Sequence, residues 1–217
     1  AESTRTGFFW EYLEPYSKSW HGKSVLDVGA GTGWLVARAM ESGASKAVGI
    51  EPSANNVVQG KQNHPDVELQ QTTFESFDGK NQKFDEIVAV MSFPHIADLS
   101  AAFSKIRSLL TENGEAIIIV PDYDYFQTPR HGYSIEQQSI DEESYAIAVT
   151  RPSGTLADIV RKTSVYQRAA ESAGLELVED KEMKPTENQI ANAPKYATVK
   201  DKALTRLLVF KLKPEAS

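Results

Sequence analysis

Three glycines at alternate positions, Gly29, Gly31 and Gly33, follow a short apolar run that contains an acid: Val25, Leu26, Asp27, Val28. A helix-like stretch, Trp34 to Ser42, begins at once. Strand, tight turn and helix in this order aim the first helix amides at a ligand, and glycines let the main chain approach it closely. A dinucleotide fingerprint places its third glycine three residues after the second; that position is Trp34 here, so the turn suits a different cofactor. A second acid, Glu51, closes the next apolar run, and a carboxylate offers two acceptor oxygens to a pair of donors. His95 stands just after a fourth apolar run, and Asp122-Tyr123-Asp124-Tyr125-Phe126 just after a fifth. Ligands of parallel sheets bind at the carboxyl edge of the strands. His95 is therefore a candidate base, and the aromatic run a candidate acceptor pocket.

Periodicity gives the elements that hold these residues. Residues 8–20 (Phe8, Phe9, Trp10, Tyr12, Leu13, Tyr16, Trp20) form an aromatic helical leader, and 1–21 is expected to act as a lid helix. Strands are expected at 24–27, 46–50, 67–70, 84–90 and 115–120; the fourth reads as a central parallel strand covered on both faces. One helix carries Leu35, Ala39 and Met40 inward and ends at Gly43, and another runs from Pro52–Ser53 to about Asn63. A third shows Leu99, Ala102, Phe103, Ile106, Leu109 and Leu110 as one stripe, capped by Asp98 and expected to end at Asn113–Gly114. This alternation implies a doubly wound α/β sheet with right-handed crossovers. It breaks after Pro121. Residues 144–151 and 155–163 read as an inserted β-hairpin around Pro152-Ser153-Gly154. Ser164 with Gln167 spells a capping box for a helix ending at Gly174. Strands follow at 175–180 and 204–212, joined by a polar, irregular 184–203 connection whose length suits a binding loop.

Composition narrows the partners. A chain of 217 residues is expected to form one domain. Lys and Arg total 23 against 30 Asp and Glu, a net charge of -7, a poor match to a phosphate backbone. A small-molecule substrate is expected, and no nucleic acid. The absence of cysteine excludes disulfides, Cys-zinc sites and thiol nucleophiles. No apolar run reaches the ~18 residues of a membrane span, and the first residues lack the basic-then-apolar order of a secretory signal. A cytoplasmic monomer or homodimer without membrane contact is expected.

The turn and its flanks resemble the nucleotide-binding motif of class I S-adenosylmethionine (SAM) methyltransferases of the small-molecule type. Further pieces keep the family's order over roughly residues 22–120, and more loosely through 164–212. Phe84-Asp85-Glu86-Ile87-Val88 looks like its FDxV fourth strand. Phe93-Pro94-His95-Ile96-Ala97-Asp98 resembles its LHHVPD segment, with Pro94 in place of the first histidine, and 108–120 looks like its LLkpGG turn and fifth strand. The resemblance implies a Rossmann-like, seven-stranded mixed sheet with the last strand antiparallel, and a single SAM-binding domain over 1–217. It implies that Gly29, Ala30, Gly31 and Gly33 cradle the methionine part of SAM, with the carboxylate on the amides of the helix start. Asp27 would attract the ammonium and Glu51 the ribose hydroxyls. Pro52, Met91, Glu75 and the N–H of Phe74 would complete the cofactor contacts, and S-adenosylhomocysteine would be the product. The chain departs from the family at Thr73, where an aspartate often meets the adenine amino group.

Methyl transfer needs an acceptor in line with the sulfonium methyl, so positioning supplies much of the rate. A base is needed only where the acceptor carries a proton that leaves, and His95 is the candidate. Trp10, Tyr16, Tyr123, Tyr125 and His131 are expected on the acceptor side, together with the 122–163 insertion and the 184–203 loop; Phe9 is a candidate to close over SAM or substrate with Trp10 and Tyr16, and Tyr133 accompanies His131. His21 and His64 read as surface residues, Arg151, Arg161 and Lys162 as solvated hairpin residues, and Asp85 as structural. Met91-Ser92-Phe93-Pro94 lacks the Asn/Asp-Pro-Pro-Tyr/Phe signature of many nucleic-acid and protein nitrogen methyltransferases. Met91 and Ser92 also lack the acids of metal-dependent catechol-type enzymes, so no metal is expected. The expected activity is SAM-dependent methyl transfer to an oxygen or nitrogen of a small molecule. Two other readings stay open: a SAM-binding or scaffold subunit without activity of its own, and an aminopropyl transferase using decarboxylated SAM. Glu51→Ala is expected to weaken SAM binding by ~1–3 kcal/mol through loss of a charged acceptor, and Gly31→Val to weaken it further. Calorimetry reads both, and unchanged affinity in Glu51→Ala contradicts the ribose role.

Overall fold

The computed structural model describes residues 4–128, 134–151 and 154–214. Helix α1 (Thr4–Ser17) precedes β1 (Ser24–Val28), α2 (Trp34–Glu41), β2 (Lys46–Glu51), α3 (Ala54–Asn63) and β3 (Glu68–Gln71). Then come β4 (Phe84–Val90), α4 (Leu99–Leu109), β5 (Leu110–Pro121) and the short α5 (Tyr123–Phe126). An excursion through β6 (Ser134–Ser139), β7 (Ser144–Arg151) and β8 (Gly154–Arg161) follows. The chain finishes with α6 (Thr163–Ser172), β9 (Leu175–Met183), α7 (Glu187–Asn192) and β10 (Thr205–Leu212).

Seven strands form one sheet in the order β3-β2-β1-β4-β5-β10-β9. Strands β1 to β5 pair in parallel, and β10 lies antiparallel between β5 and β9. The expected mixed sheet with an antiparallel last strand is the one that forms. Alternation along the strands sets the layers. Leu26, Val28, Ile118 and Val120 pack with Phe103 and Ile106 of α4 and Tyr166 of α6 on one face. Val25, Ile117 and Ile119 meet Phe8, Phe9 and Leu13 of α1 and Leu35, Val36 and Ala39 of α2 on the other. Both faces being covered explains the apolar run of β4. Among the described residues, no helix is long and apolar enough to cross a membrane.

Several local expectations change. The insertion is a three-stranded antiparallel sheet, β6-β7-β8, rather than a hairpin; β6 reads Ser-Ile-Glu-Gln-Gln-Ser and has no apolar alternation to announce it. Helix α4 stops at Leu109, and Leu110 already pairs with Phe84. Gly114 is needed instead inside β5, where a Cβ would lie 3.0 Å from the Phe84 carbonyl oxygen. Met40 is exposed, and Val36 takes its place on the inner face of α2. Ser164 makes no capping box: its hydroxyl donates to Glu143 Oε1 at 2.5 Å, leaving Lys162 as an N-cap without a side-chain bond. A capping box forms at Thr186 and Gln189 instead, opening α7 inside the 184–203 connection.

Phe103 is fully buried, with its ring 4.9 Å from that of Phe210 and 5.7 Å from that of Phe93. Phe103→Ala is expected to lower unfolding stability by about 3–5 kcal/mol, the range for emptying a packed aromatic site, read by urea denaturation.

Candidate functional site

The site is the carboxyl edge of the parallel strands, where β1 turns into α2. Gly29, Gly31 and Gly33 all hold positive φ, at 78°, 55° and 79°, a region costly for side chains. They serve different ends. A Cβ on Gly29 would lie 2.5 Å from the Ser92 Cβ, and one on Gly33 would lie 3.2 Å from Leu69 and Val67 carbons, so both are required by the protein's own packing. A Cβ on Gly31 would meet no protein atom within 4 Å. Open space therefore lies over Gly31. The turn amides are largely committed inside the chain: those of Gly29 and Ala30 both donate to Ile50 O at 2.9 Å, and that of Gly33 to Ala30 O at 2.8 Å. The amides left without intrahelical partners are those of the first turn of α2.

Two buried acids lie by this turn. The buried Glu51 carboxylate accepts from Gly31 N–H at 2.9 Å through Oε2, and from Ser53 N–H at 2.9 Å and Asn56 Nδ2 at 3.2 Å through Oε1. Asp27 is buried, and its Oδ2 has no hydrogen-bond partner. Desolvation first, and the Glu51 charge second, push its carboxyl pKa up to about 8. An orphaned buried carboxylate beside a second one favours a ligand that brings positive charge.

β4 ends in strain at the same edge. Met91 takes φ 58°, a conformation costing about 1–3 kcal/mol for a residue with a side chain. Its N–H donates to Ile119 O at 2.9 Å, and the next hydroxyl, Ser92 Oγ, donates to Val28 O at 2.6 Å. The β4 loop is thereby locked against the glycine turn. After β3, the Phe74 ring enters the core, while Glu75 is exposed and its carbonyl accepts from Lys105 Nζ at 2.7 Å. Thr73 Oγ1 accepts the Ser76 N–H at 3.2 Å and so turns the chain where the family often has aspartate. Pro52 is exposed beside Glu51.

His95 ends a short helical turn, Phe93–His95, directly after β4. Its Nδ1 lies 3.4 Å from Oδ1 of Asp158 on β8, while half of its side chain is exposed. Asp122 caps α5 by accepting the Asp124 and Tyr125 N–H groups, which brings Tyr123 and Tyr125 to the end of β5. The Tyr123 ring stacks edge-on with that of Tyr145 at 5.1 Å, while Tyr125 and Met91 each pack against the apolar cluster on the α1 side of the sheet. Trp10 and Tyr16 are not brought to this edge. Trp10 packs on Trp20 and under Arg38 in the last turn of α2. Tyr16 faces Glu179 and Glu115, where burial and then these acids raise its phenol pKa; Glu115 is in register with Glu86, near the strands' amino ends. Arg161, expected in solvent, is buried and donates from Nη2 to Ile96 O at 2.8 Å. His131 and Tyr133 lie outside the described residues. Asp158 escaped the sequence reading, although an acid sharing a strand face with Leu156 and Val160 was a usable signal.

Residues 9–180 match the family described as methyltransferase domain. The chain belongs to this methyltransferase family. A ubiquinone biosynthesis O-methyltransferase of Rhodopseudomonas palustris is 30% identical over 101 residues, covering 45% of this chain and 39% of the relative. The chain thus spans about two fifths of the length of that curated methyltransferase. Among solved structures, a Listeria monocytogenes protein described as an S-adenosylmethionine-dependent methyltransferase superposes with TM-score 0.81 at 19% identity, over 98% of this chain and 100% of the other. The Burkholderia thailandensis 1,6-didemethyltoxoflavin-N1-methyltransferase, solved with that substrate and S-adenosylhomocysteine, gives TM-score 0.63 at 14% identity, covering 93% and 78%. These methyltransferases share the fold.

The orphaned Asp27 oxygen and the open face of Gly31 fit the family's methyl donor, which carries an ammonium and a cationic sulfur. At pH 7 the folded chain holds Asp27 largely protonated, since its pKa is about 8. A cation beside it lowers that pKa, so SAM binding at pH 7 is expected to release a proton. Calorimetry in buffers of different ionisation enthalpy reads it, and the release should vanish well above pH 8 and in Asp27→Asn. The same raised pKa means that this group's contribution to folding is fully present below 3.8 and is lost as pH rises toward about 8.

Proposed function

We propose that this chain is a SAM-dependent methyltransferase acting on an oxygen or nitrogen of a small molecule, most favourably a hydroxyl on an aromatic ring. The observation that carries this reading is the open face of Gly31 beside the buried Glu51, with the buried, unpartnered oxygen of Asp27 close enough to feel the Glu51 charge. Asp27 would pair with the ammonium of the donor, Glu51 would hold its ribose hydroxyls, and the first turn of α2 would face its carboxylate. Bound there, SAM supplies a methyl group on a cationic sulfur. Exposed Glu75, beside the Phe74 N–H, is the proposed adenine contact in place of the missing aspartate.

The acceptor side is proposed to comprise α5, the inserted sheet and the 184–203 segment. That segment is fastened to α1: the Tyr12 hydroxyl donates to Lys184 O at 2.6 Å and Thr186 Oγ1 to Glu11 Oε1 at 2.6 Å. Tyr123, Phe126 and Tyr145 give the α5 side an aromatic character. His95 is the proposed base, taking the acceptor proton at Nε2 as the oxygen or nitrogen gains its methyl. The relatives named as O-methyltransferases support a hydroxyl acceptor.

The test is transfer from methyl-tritiated SAM to a panel of phenols, catechols and amines, with S-adenosylhomocysteine release followed in parallel. His95→Gln is expected to lower kcat for a hydroxyl acceptor by roughly 10²–10⁴-fold, the usual worth of a positioned base, while SAM affinity stays unchanged. A kcat close to that of the wild type contradicts the base role.

A further inference from the structure

We propose that Asp158 is a positioning residue: it fixes the His95 imidazole as the Nδ1–H tautomer and leaves Nε2 as the proton-accepting nitrogen. The proposal rests on the reading of His95 as the base. Strand β8 carries Asp158 on the same face as Leu156 and Val160, and its side chain is only 2% exposed. Carboxylates are rarely placed so deep without a specific partner. Asp158 Oδ1 lies 3.4 Å from His95 Nδ1, and Nε2 has no partner among the described residues. One strand also holds the main chain beneath the ring. Arg161 Nη2 donates to the carbonyls of the two residues that follow His95, Ile96 at 2.8 Å and Ala97 at 3.4 Å. From the other side, the His95 N–H donates to Ser92 O at 3.1 Å, and Ser92 is itself tied to Val28 O before the glycine turn. The imidazole thus sits on a continuous set of contacts from the inserted sheet to the cofactor turn.

A neutral imidazole donates from one nitrogen and accepts at the other. An ionised carboxylate only accepts, so Asp158 selects Nδ1–H and frees the Nε2 lone pair. When the acceptor's proton moves to Nε2, Nδ1 keeps its own, and the ionised Asp158 stabilises the resulting imidazolium. The proton then leaves Nε2 to water through the exposed half of the ring, and Asp158 is never protonated. The inserted sheet therefore serves the reaction by orienting a group on the main sheet.

The test uses the full chain labelled with nitrogen-15, with imidazole spectra recorded where His95 is neutral and assigned by His95→Gln. The wild type is expected to show Nδ1 protonated and Nε2 bare. Asp158→Asn, whose amide offers N–H groups, is expected to reverse this. Asp158→Glu, which keeps an acceptor, is expected to restore the wild-type pattern at least in part. Calorimetric SAM affinity, expected to be equal in all three, reports that the variants are folded. With catechol as probe acceptor, Asp158→Asn is expected to lower kcat by roughly tenfold or more with KM for SAM unchanged. A wild-type ring carrying its proton on Nε2, or an Asp158→Asn spectrum like that of the wild type, overturns the assignment of Asp158. The predicted tautomer together with full activity in His95→Gln overturns the base reading alone.

Discussion

The hydrogen bond from Gly31 N–H to the Glu51 carboxylate holds the glycine turn against the end of the neighbouring strand. Most of the site depends on it. A turn with three left-handed residues has little intrinsic preference for one path, and this bond selects the path that keeps the Gly31 face open. The same carboxylate gathers Ser53 N–H and the Asn56 amide, so it also sets the entry into α3. Its charge, added to burial, is what keeps Asp27 protonated in the free protein. One side chain thereby sets the geometry of the turn and the electrostatic demand for a cation.

Strain and locking on the β4 side complete the arrangement. Met91 is forced into a left-handed conformation, and Ser92 is bonded back to the carbonyl of Val28. Costs of this size persist only where the surroundings over-determine them. Here they bring the loop that carries His95 directly against the turn that carries Gly29, where a Cβ would collide with Ser92. The inserted sheet then closes on that loop from outside through Arg161 and Asp158. The glycine turn and the inserted sheet are thus joined by a few short contacts, and α1, bonded to α7 through Phe8 O and Gln189 Nε2, covers one face of the sheet.

Much of this was legible in the sequence because the signals were local. The apolar run of β4, the stripe of α4 and the acid ending β2 depend on burial alone, and the Gly-rich turn announces its own conformation. What escaped needed knowledge of distant partners. The capping-box signature at Ser164 does not form, because Ser164 bonds to Glu143 on a loop some twenty residues away, whereas the one at Thr186 does. Strand β6 pairs through its backbone and carries almost no apolar side chains, so no periodicity marks it. Trp10 and Tyr16 looked like lid residues because aromatics near a terminus suit that role; the packing of α1 on the sheet face gives them other neighbours. Arg161 reads as an ordinary hairpin charge, and Asp158 carries no motif of its own; only the pairing of β8 turns both inward.

The most direct test of the central claim is a crystal structure of the full chain grown with saturating S-adenosylhomocysteine. The account predicts the nucleoside over Gly31, with its ribose hydroxyls on Glu51 and its amino group beside Asp27. Ligand density elsewhere, or an unchanged empty turn at saturating concentration, would contradict it.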